Sequence, residues 1–135
     1  MHKPFLFILI MAVPLISCRN NPKITPTTDT DVATTFIRDI LDNRLDDAVP
    51  YLLNDESNLQ YFDTFREQYR KKEKAELDKY RAAEIIINEI SNFADTVSIV
   101  NYSNTYKKEL KNNLKLVRIN GKWLIDLKYT FSGNL

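Results

Sequence analysis

Apolar residues along this chain fall into three regimes. From Phe5 to Ile16 they form one nearly continuous run. Between Val32 and Tyr69 they recur every three or four residues. Beyond Tyr80 they tend to alternate with polar ones. The middle regime predicts helices. Val32, Phe36, Ile37, Ile40 and Leu41 share one helical face, with Asp29 or Thr30 placed to cap the start and Asn43 to end it. Leu45, Ala48, Val49, Leu52 and Leu53 predict a second, short helix that Pro50 interrupts. A third should begin near Ser57 or Asn58. Its stripe would be Leu59, Phe62, Phe65 and Tyr69, and it should run out through the charged stretch RKKEKAELDK. The last regime predicts four strands, in AAEIIINEI, DTVSIVNYS, ELKNNLKLVRI and KWLIDLKYTF. Asn120-Gly121 is the favoured dipeptide for a tight hairpin between the last two. In the final run Trp123, Ile125, Leu127, Tyr129 and Phe131 fall on one face, which predicts a strand with one buried side through to Phe131. The fold expected is α+β, with about three N-terminal helices packed against an antiparallel sheet of about four strands.

The first regime is too short for a membrane span, which needs roughly 20 apolar residues. His2 and Lys3 precede it and a small residue, Ser17, ends it, the layout of a secretory signal. The last four residues, Leu15-Ile16-Ser17-Cys18, resemble the lipobox of bacterial lipoproteins. That resemblance implies cleavage before Cys18, acyl chains such as palmitate on that residue, and a membrane anchored but not crossed. At about 0.8 kcal/mol per buried methylene, two or more chains hold stably. Residues 1–17 would be the signal and 18–30, rich in Pro, Thr and Asn, a flexible tether that cannot bury a core. Residues 31–135 would form one domain. Arg19 stands where an aspartate would imply inner-membrane retention in proteobacterial relatives of that class, and no acidic export run follows. The resemblance therefore points to the periplasmic face of an outer membrane.

Two further stretches carry a second resemblance. VATTFIRDILDNRLDDAVPYL resembles the opening helical hairpin of the nuclear-transport-factor-2-like (NTF2-like, or cystatin-like) superfamily, and LKLVRINGKWLIDLKY its closing hairpin. This implies a cone-shaped domain whose curved sheet and long helix enclose a pocket. Pro50 departs from the usual uninterrupted second helix.

Composition removes more chemistry than it supplies. The chain has one His and one Cys, and both lie at or before the lipobox position. A mature chain would then have no histidine and no free thiol. That excludes a Ser-His-Asp triad, a Cys-His pair and nitrogen- or sulfur-ligated zinc. With glycines only at Gly121 and Gly133, no glycine-rich loop is present to cradle a phosphate. We expect no cofactor and no metal. The net charge of +1, or zero once Lys3 is removed, does not favour nucleic acid. It is unevenly spread, with nine acidic residues against Arg38 and Arg44 between Asp29 and Asp63, and a basic excess after Asn101.

What remains is carboxylate and aromatic. Asp42, Asp46 and Asp47 cluster near the first helical turn, either as a cation or acid–base site or as a solvated acidic surface beside Arg38 and Arg44. Glu84 would be the best general base if its strand face lines a pocket, and an outward glutamate otherwise. Tyr61, Phe65, Tyr69, Glu84, Trp123, Ile125, Leu127 and Tyr129 are the candidate pocket residues, with a packed core as the alternative. The expected function is a non-catalytic, membrane-anchored binding or accessory domain of the cell envelope that holds a small apolar molecule. Two alternatives stand beside it. One is an envelope hydrolase or isomerase using a carboxylate and a tyrosine. The other is an inhibitory or docking module for an envelope protein.

Overall fold

A computed structural model describes residues 25–131. The signal, Cys18 and the tether as far as Ile24 lie outside the described residues. Ten elements follow in order: α1 (Asp29–Leu41), α2 (Leu45–Ala48), a 3₁₀ turn (Val49–Tyr51), α3 (Glu56–Arg70), α4 (Lys74–Ala82), β1 (Ile85–Ala94), β2 (Val97–Asn104), β3 (Asn112–Ile119), β4 (Lys122–Asp126) and α5 (Leu127–Phe131). The four strands form one antiparallel sheet in sequence order, and four of the five helices precede it. This is the α+β arrangement that the apolar periodicity predicts.

The cap of α1 differs from the expected Asp29 or Thr30. Thr28 caps it, accepting from the Asp31 backbone N–H, while the Asp31 carboxylate accepts from the N–H of Thr28. The helix therefore begins inside the stretch read as tether. Its other end follows expectation. Asn43 adopts a left-handed φ of 58°, and the N–H groups of Asn43 and Arg44 reach back to the carbonyls of Ile40 and Asp39. That double reach satisfies carbonyls the helix would leave open. Pro50 sits in the 3₁₀ turn that replaces the rest of the second helix.

On α3 the inward stripe is Asn58, Phe62, Phe65 and Tyr69; the expected Leu59 is 37% exposed. Asn58 is fully buried because three bonds satisfy its amide and backbone. It takes the Asp55 carboxylate through both its N–H and its Nδ2, and its Oδ1 accepts the Leu127 N–H at 2.7 Å. The charged stretch does not prolong α3. The chain turns at residues 71–73 and restarts as α4, with Tyr80 buried and Leu77 packed against the core. Arg38 of α1 closes that helix, donating from Nη1 to the Ala83 carbonyl at 2.8 Å and from Nη2 to the Arg81 carbonyl at 3.3 Å. The open carbonyls of a helix end thereby find a donor.

The inner sheet face runs Val100 and Leu114 across one row, with Ile90 exposed at the β1 edge, and Ser98, Leu116 and Ile125 across the next. Val100, Leu116 and Ile125 have no exposed surface and pack with Ile37 and Phe62. One edge of the sheet is covered where the Leu53 N–H bonds to the Ile125 carbonyl, beside the Leu52–Ile125 bridge. Asn120 and Gly121 both take positive φ, 51° and 78°, which a two-residue hairpin of this hand requires.

The last strand is shorter than its alternation predicts. It stops at Asp126, and Leu127–Phe131 is helical. Two hydrogen bonds account for the break. Asn58 captures the Leu127 N–H, and the Asp126 carboxylate accepts the Lys128 N–H at 3.2 Å, a local bond that favours a helix start.

Candidate functional site

A cavity of about 240 Å³ opens between α1, α3, α4, the strands β2 and β3, and the first turns of α5. Its wall is mostly apolar: Phe36, Ile37, Ile40 and Leu41 from α1, Phe62, Phe65 and Tyr69 from α3, and Leu114 and Leu127 from the sheet side. Tyr80, Tyr102, Leu110, Asn104, Asn112, Thr130 and Lys72 complete it. The α3 residues reach it because positions 62, 65 and 69 share one helical face.

The aromatic side chains form a chain of ring contacts along this wall. Successive centroids are 6.1 Å apart for Phe36–Phe62 and Phe62–Phe65, 5.4 Å for Phe65–Tyr69 and 5.9 Å for Tyr69–Tyr80. The chain ends edge-to-face on Tyr106, 5.0 Å from Tyr80. Such separations are those at which ring quadrupoles attract. Over the last two rings sit ammonium groups: Lys72 and Lys107 lie 5.5 and 5.4 Å from the centre of Tyr80, and Lys79 and Lys107 lie 5.6 and 5.4 Å from that of Tyr106.

Asn104 sets this mouth. It ends β2, is buried, and its Oδ1 accepts the N–H groups of both Tyr106 and Lys107 at 3.0 Å. The turn so formed points the β2–β3 connection back over α4. Glu76 binds the two mouth lysines together, its Oε1 taking Lys72 at 3.1 Å and Lys107 at 3.4 Å. Its hydrogen bond from Lys72, and then that from Lys107, hold this carboxyl below its ordinary range. Lys107 is held above the ordinary lysine range, first by a hydrogen bond with Tyr80 and then by Glu76. Glu76 and Lys107 are therefore both charged at neutral pH.

Deeper in, Tyr69 is 4% exposed, and its hydroxyl is buried with no partner among the described residues. Burial, with the neighbouring Tyr80, pushes that hydroxyl well above the usual phenol range. Burial pushes the Tyr102 hydroxyl up to about 12. Both stay protonated, so each keeps a proton to donate. Among the described residues no carboxylate lines the cavity. The polar groups there are hydroxyls, two amides and one ammonium.

Of the residues singled out from sequence, Phe65, Tyr69 and Leu127 meet at this cavity. Ile125 is one layer away in the packed core. Tyr61 is 39% exposed on α3, and Tyr129 lies under the Lys115 ammonium, 5.8 Å from its ring centre. Glu84 is exposed just before β1, where its backbone pairs with Thr105. Trp123 is half-buried. It borders a separate cavity of about 550 Å³ with residues 25–27, Pro50 and Tyr51, and the Arg118 guanidinium lies 5.9 Å from its ring. Tyr61, Glu84, Trp123, Ile125 and Tyr129 are thus outside the cavity wall. Sequence reading missed Phe36, Ile40, Lys72, Tyr80 and Tyr102. The signal for Tyr80 was present, a lone aromatic three residues after Leu77 in an otherwise charged stretch.

The acidic cluster resolves into ion pairs. Arg44 contacts Asp39 at 2.6 Å, Asp42 at 3.3 Å and Asp47 at 3.7 Å, while Asp46 faces Arg66 and Arg70. Among the described residues no group of three or more potential ligands is placed to hold a metal, and no helix is long and apolar enough to cross a membrane. No family model, no curated protein and no solved structure matches the chain.

Proposed function

We propose that this chain is a lipid-anchored cell-envelope protein whose domain binds a small apolar molecule without chemically changing it. One observation carries the binding part of this reading: the aromatic-lined cavity of about 240 Å³, with a buried donor, the Tyr69 hydroxyl, left open beside it. A cavity that size exceeds the roughly 150 Å³ in which an engineered apolar void takes up benzene. The reading of a non-catalytic site draws on a wall that supplies hydrogen-bond donors and a cation but no carboxylate base. Helices followed by an antiparallel sheet fit the layout of the NTF2-like superfamily, whose pocket lies between the same two layers. Anchoring rests on Leu15-Ile16-Ser17-Cys18, with the outer membrane's periplasmic face as the proposed address.

Toluene, a neutral ring of suitable size, tests the cavity. Titrated into the full chain, it should bind saturably and raise the melting temperature. Ile40→Phe, which fills the wall, should remove that binding while the far-ultraviolet spectrum stays native. Unsaturable partitioning with an unchanged melting temperature overturns the cavity reading. Cys18→Ser tests the anchor separately, since acyl labelling equal to that of the parent chain would overturn it.

A further inference from the structure

The cavity's size, its rings and the charges at its mouth narrow the ligand class. This step rests on the cavity-binding reading above. At about 240 Å³ the cavity exceeds a benzene-sized void of roughly 150 Å³. It falls below the roughly 300–1,000 Å³ typical of sites for drug-sized ligands. A long acyl chain does not fit such a space, whereas a single ring with a short substituent does. Six of the wall residues are aromatic: Phe36, Phe62, Phe65, Tyr69, Tyr80 and Tyr102. Rings in contact along the wall offer faces and edges against which another ring packs at the favoured separations.

The mouth has one sign of charge in excess. Lys72 is part of the wall and is 30% exposed at its side chain, so its ammonium stands where the cavity meets water. Lys107 joins it over the same Tyr80 ring, and Lys79 stands beside Tyr106. Glu76 contacts Lys72 and Lys107 and cancels only one of those two charges. A carboxylate entering between them would replace a shared partner with a dedicated one, and a charge-assisted hydrogen bond is the strong kind.

We propose that the pocket takes a compact aromatic monoanion, an aryl carboxylate. Its ring lies against Phe65, Tyr69 and Leu114, and its carboxylate stands at Lys72 and Lys107. The class is defined by chemistry: one ring with a short arm and one negative charge. Glu76 acts as the internal occupant of the anion position and yields its two lysines when the ligand arrives.

The experiment compares phenylacetate, its neutral isostere phenylacetamide, palmitate and toluene, each titrated calorimetrically into the full chain at low ionic strength. Phenylacetate should bind at least about tenfold more tightly than phenylacetamide. The gap should shrink in about 0.5 M sodium chloride, because partly exposed charges are screened at that salt. Lys72→Met combined with Lys107→Met should bring the acid down to the affinity of the amide; an acid still about tenfold tighter than the amide in that variant overturns the anion inference. Glu76→Gln should do the reverse, tightening phenylacetate severalfold by freeing both lysines; a merely structural role for Glu76 would not produce that gain. Equal affinity for acid and amide, with toluene still bound, overturns the anion inference and leaves the cavity reading standing. Palmitate binding more tightly than phenylacetate overturns the size argument. Failure of all four probes overturns both.

Discussion

The interface between helices and sheet is filled at one end and hollow at the other. At the filled end, Val100, Leu116 and Ile125 have no exposed surface. At the hollow end, Phe65, Ile40 and Tyr102 keep exposed surface around a cavity of about 240 Å³. The same helices, α1 and α3, supply both ends, so helix placement alone does not explain the contrast. The facing residues do. At the filled end the sheet presents branched aliphatic side chains, Leu116 opposite Ile125 with Val100 on the neighbouring strand. At the hollow end it presents Tyr102, Asn104 and Asn112, whose polar groups cannot close over an apolar surface without leaving hydrogen bonds unmade. The pocket is thus a consequence of polarity along β2 and at the start of β3.

The contrast can be broken most strongly by truncating two rings of α3: Phe62, buried where the cavity wall meets the packed core, and Phe65, half-buried in the hollow. Phe62→Ala removes a fully buried ring and should cost about 3 to 5 kcal/mol, read as a shift in the denaturant midpoint. Phe65→Ala borders space that is already empty and should cost only about 1 to 2 kcal/mol, because its ring is partly in water beforehand. Equal losses would mean that both ends are packed alike. A smaller effect tests the clamp that ties α3 to the end of β4. Asn58→Ala leaves the buried Leu127 N–H without its acceptor and should cost about 1 to 3 kcal/mol. An unchanged midpoint would show that Leu127 finds another partner.

The smallest effect is one of pH. A hydrogen bond from Lys128, followed by that from the Asn58 N–H, lowers the Asp55 carboxyl to about 2, below its ordinary 3.8. A depressed folded-state value contributes stability that is present above the unfolded value. It is lost as pH falls through about 3.8 towards 2. Asp55→Asn keeps a capping side chain but no charge. Its melting temperature should fall below that of the parent chain at pH 6, and the two should converge near pH 2. A constant offset across that range would assign the effect of Asp55 to capping alone.

How much is legible from the sequence differs between the same regions. At the filled end, the α1 stripe, the Asn43 stop, the break at Pro50 and the Asn120-Gly121 turn all follow from local rules. The cavity is legible only in part. Phe65 and Tyr69 lie on a stripe that periodicity finds. Lys72 and Tyr80 sit in a stretch whose charges mask a second helix. The final alternation, carried through to Phe131, puts Tyr129 on one strand face with Trp123, whereas the strand stops at Asp126 and Tyr129 lies on α5.

The succession of helices then strands, the hairpin and the absence of a second histidine or cysteine are set by the amino-acid string, because they depend on residues within a few positions of one another or on composition alone. Folding in three dimensions decided the rest: where the last strand stops, which face of α3 points inward at Asn58 rather than Leu59, and where the interface stays hollow. Those outcomes hang on partners far apart in the chain: Asn58 with Leu127, Arg38 with Ala83, Glu76 with Lys107. A buried amide that finds all its hydrogen bonds can displace a leucine from the core, and no local pattern announces such a partner.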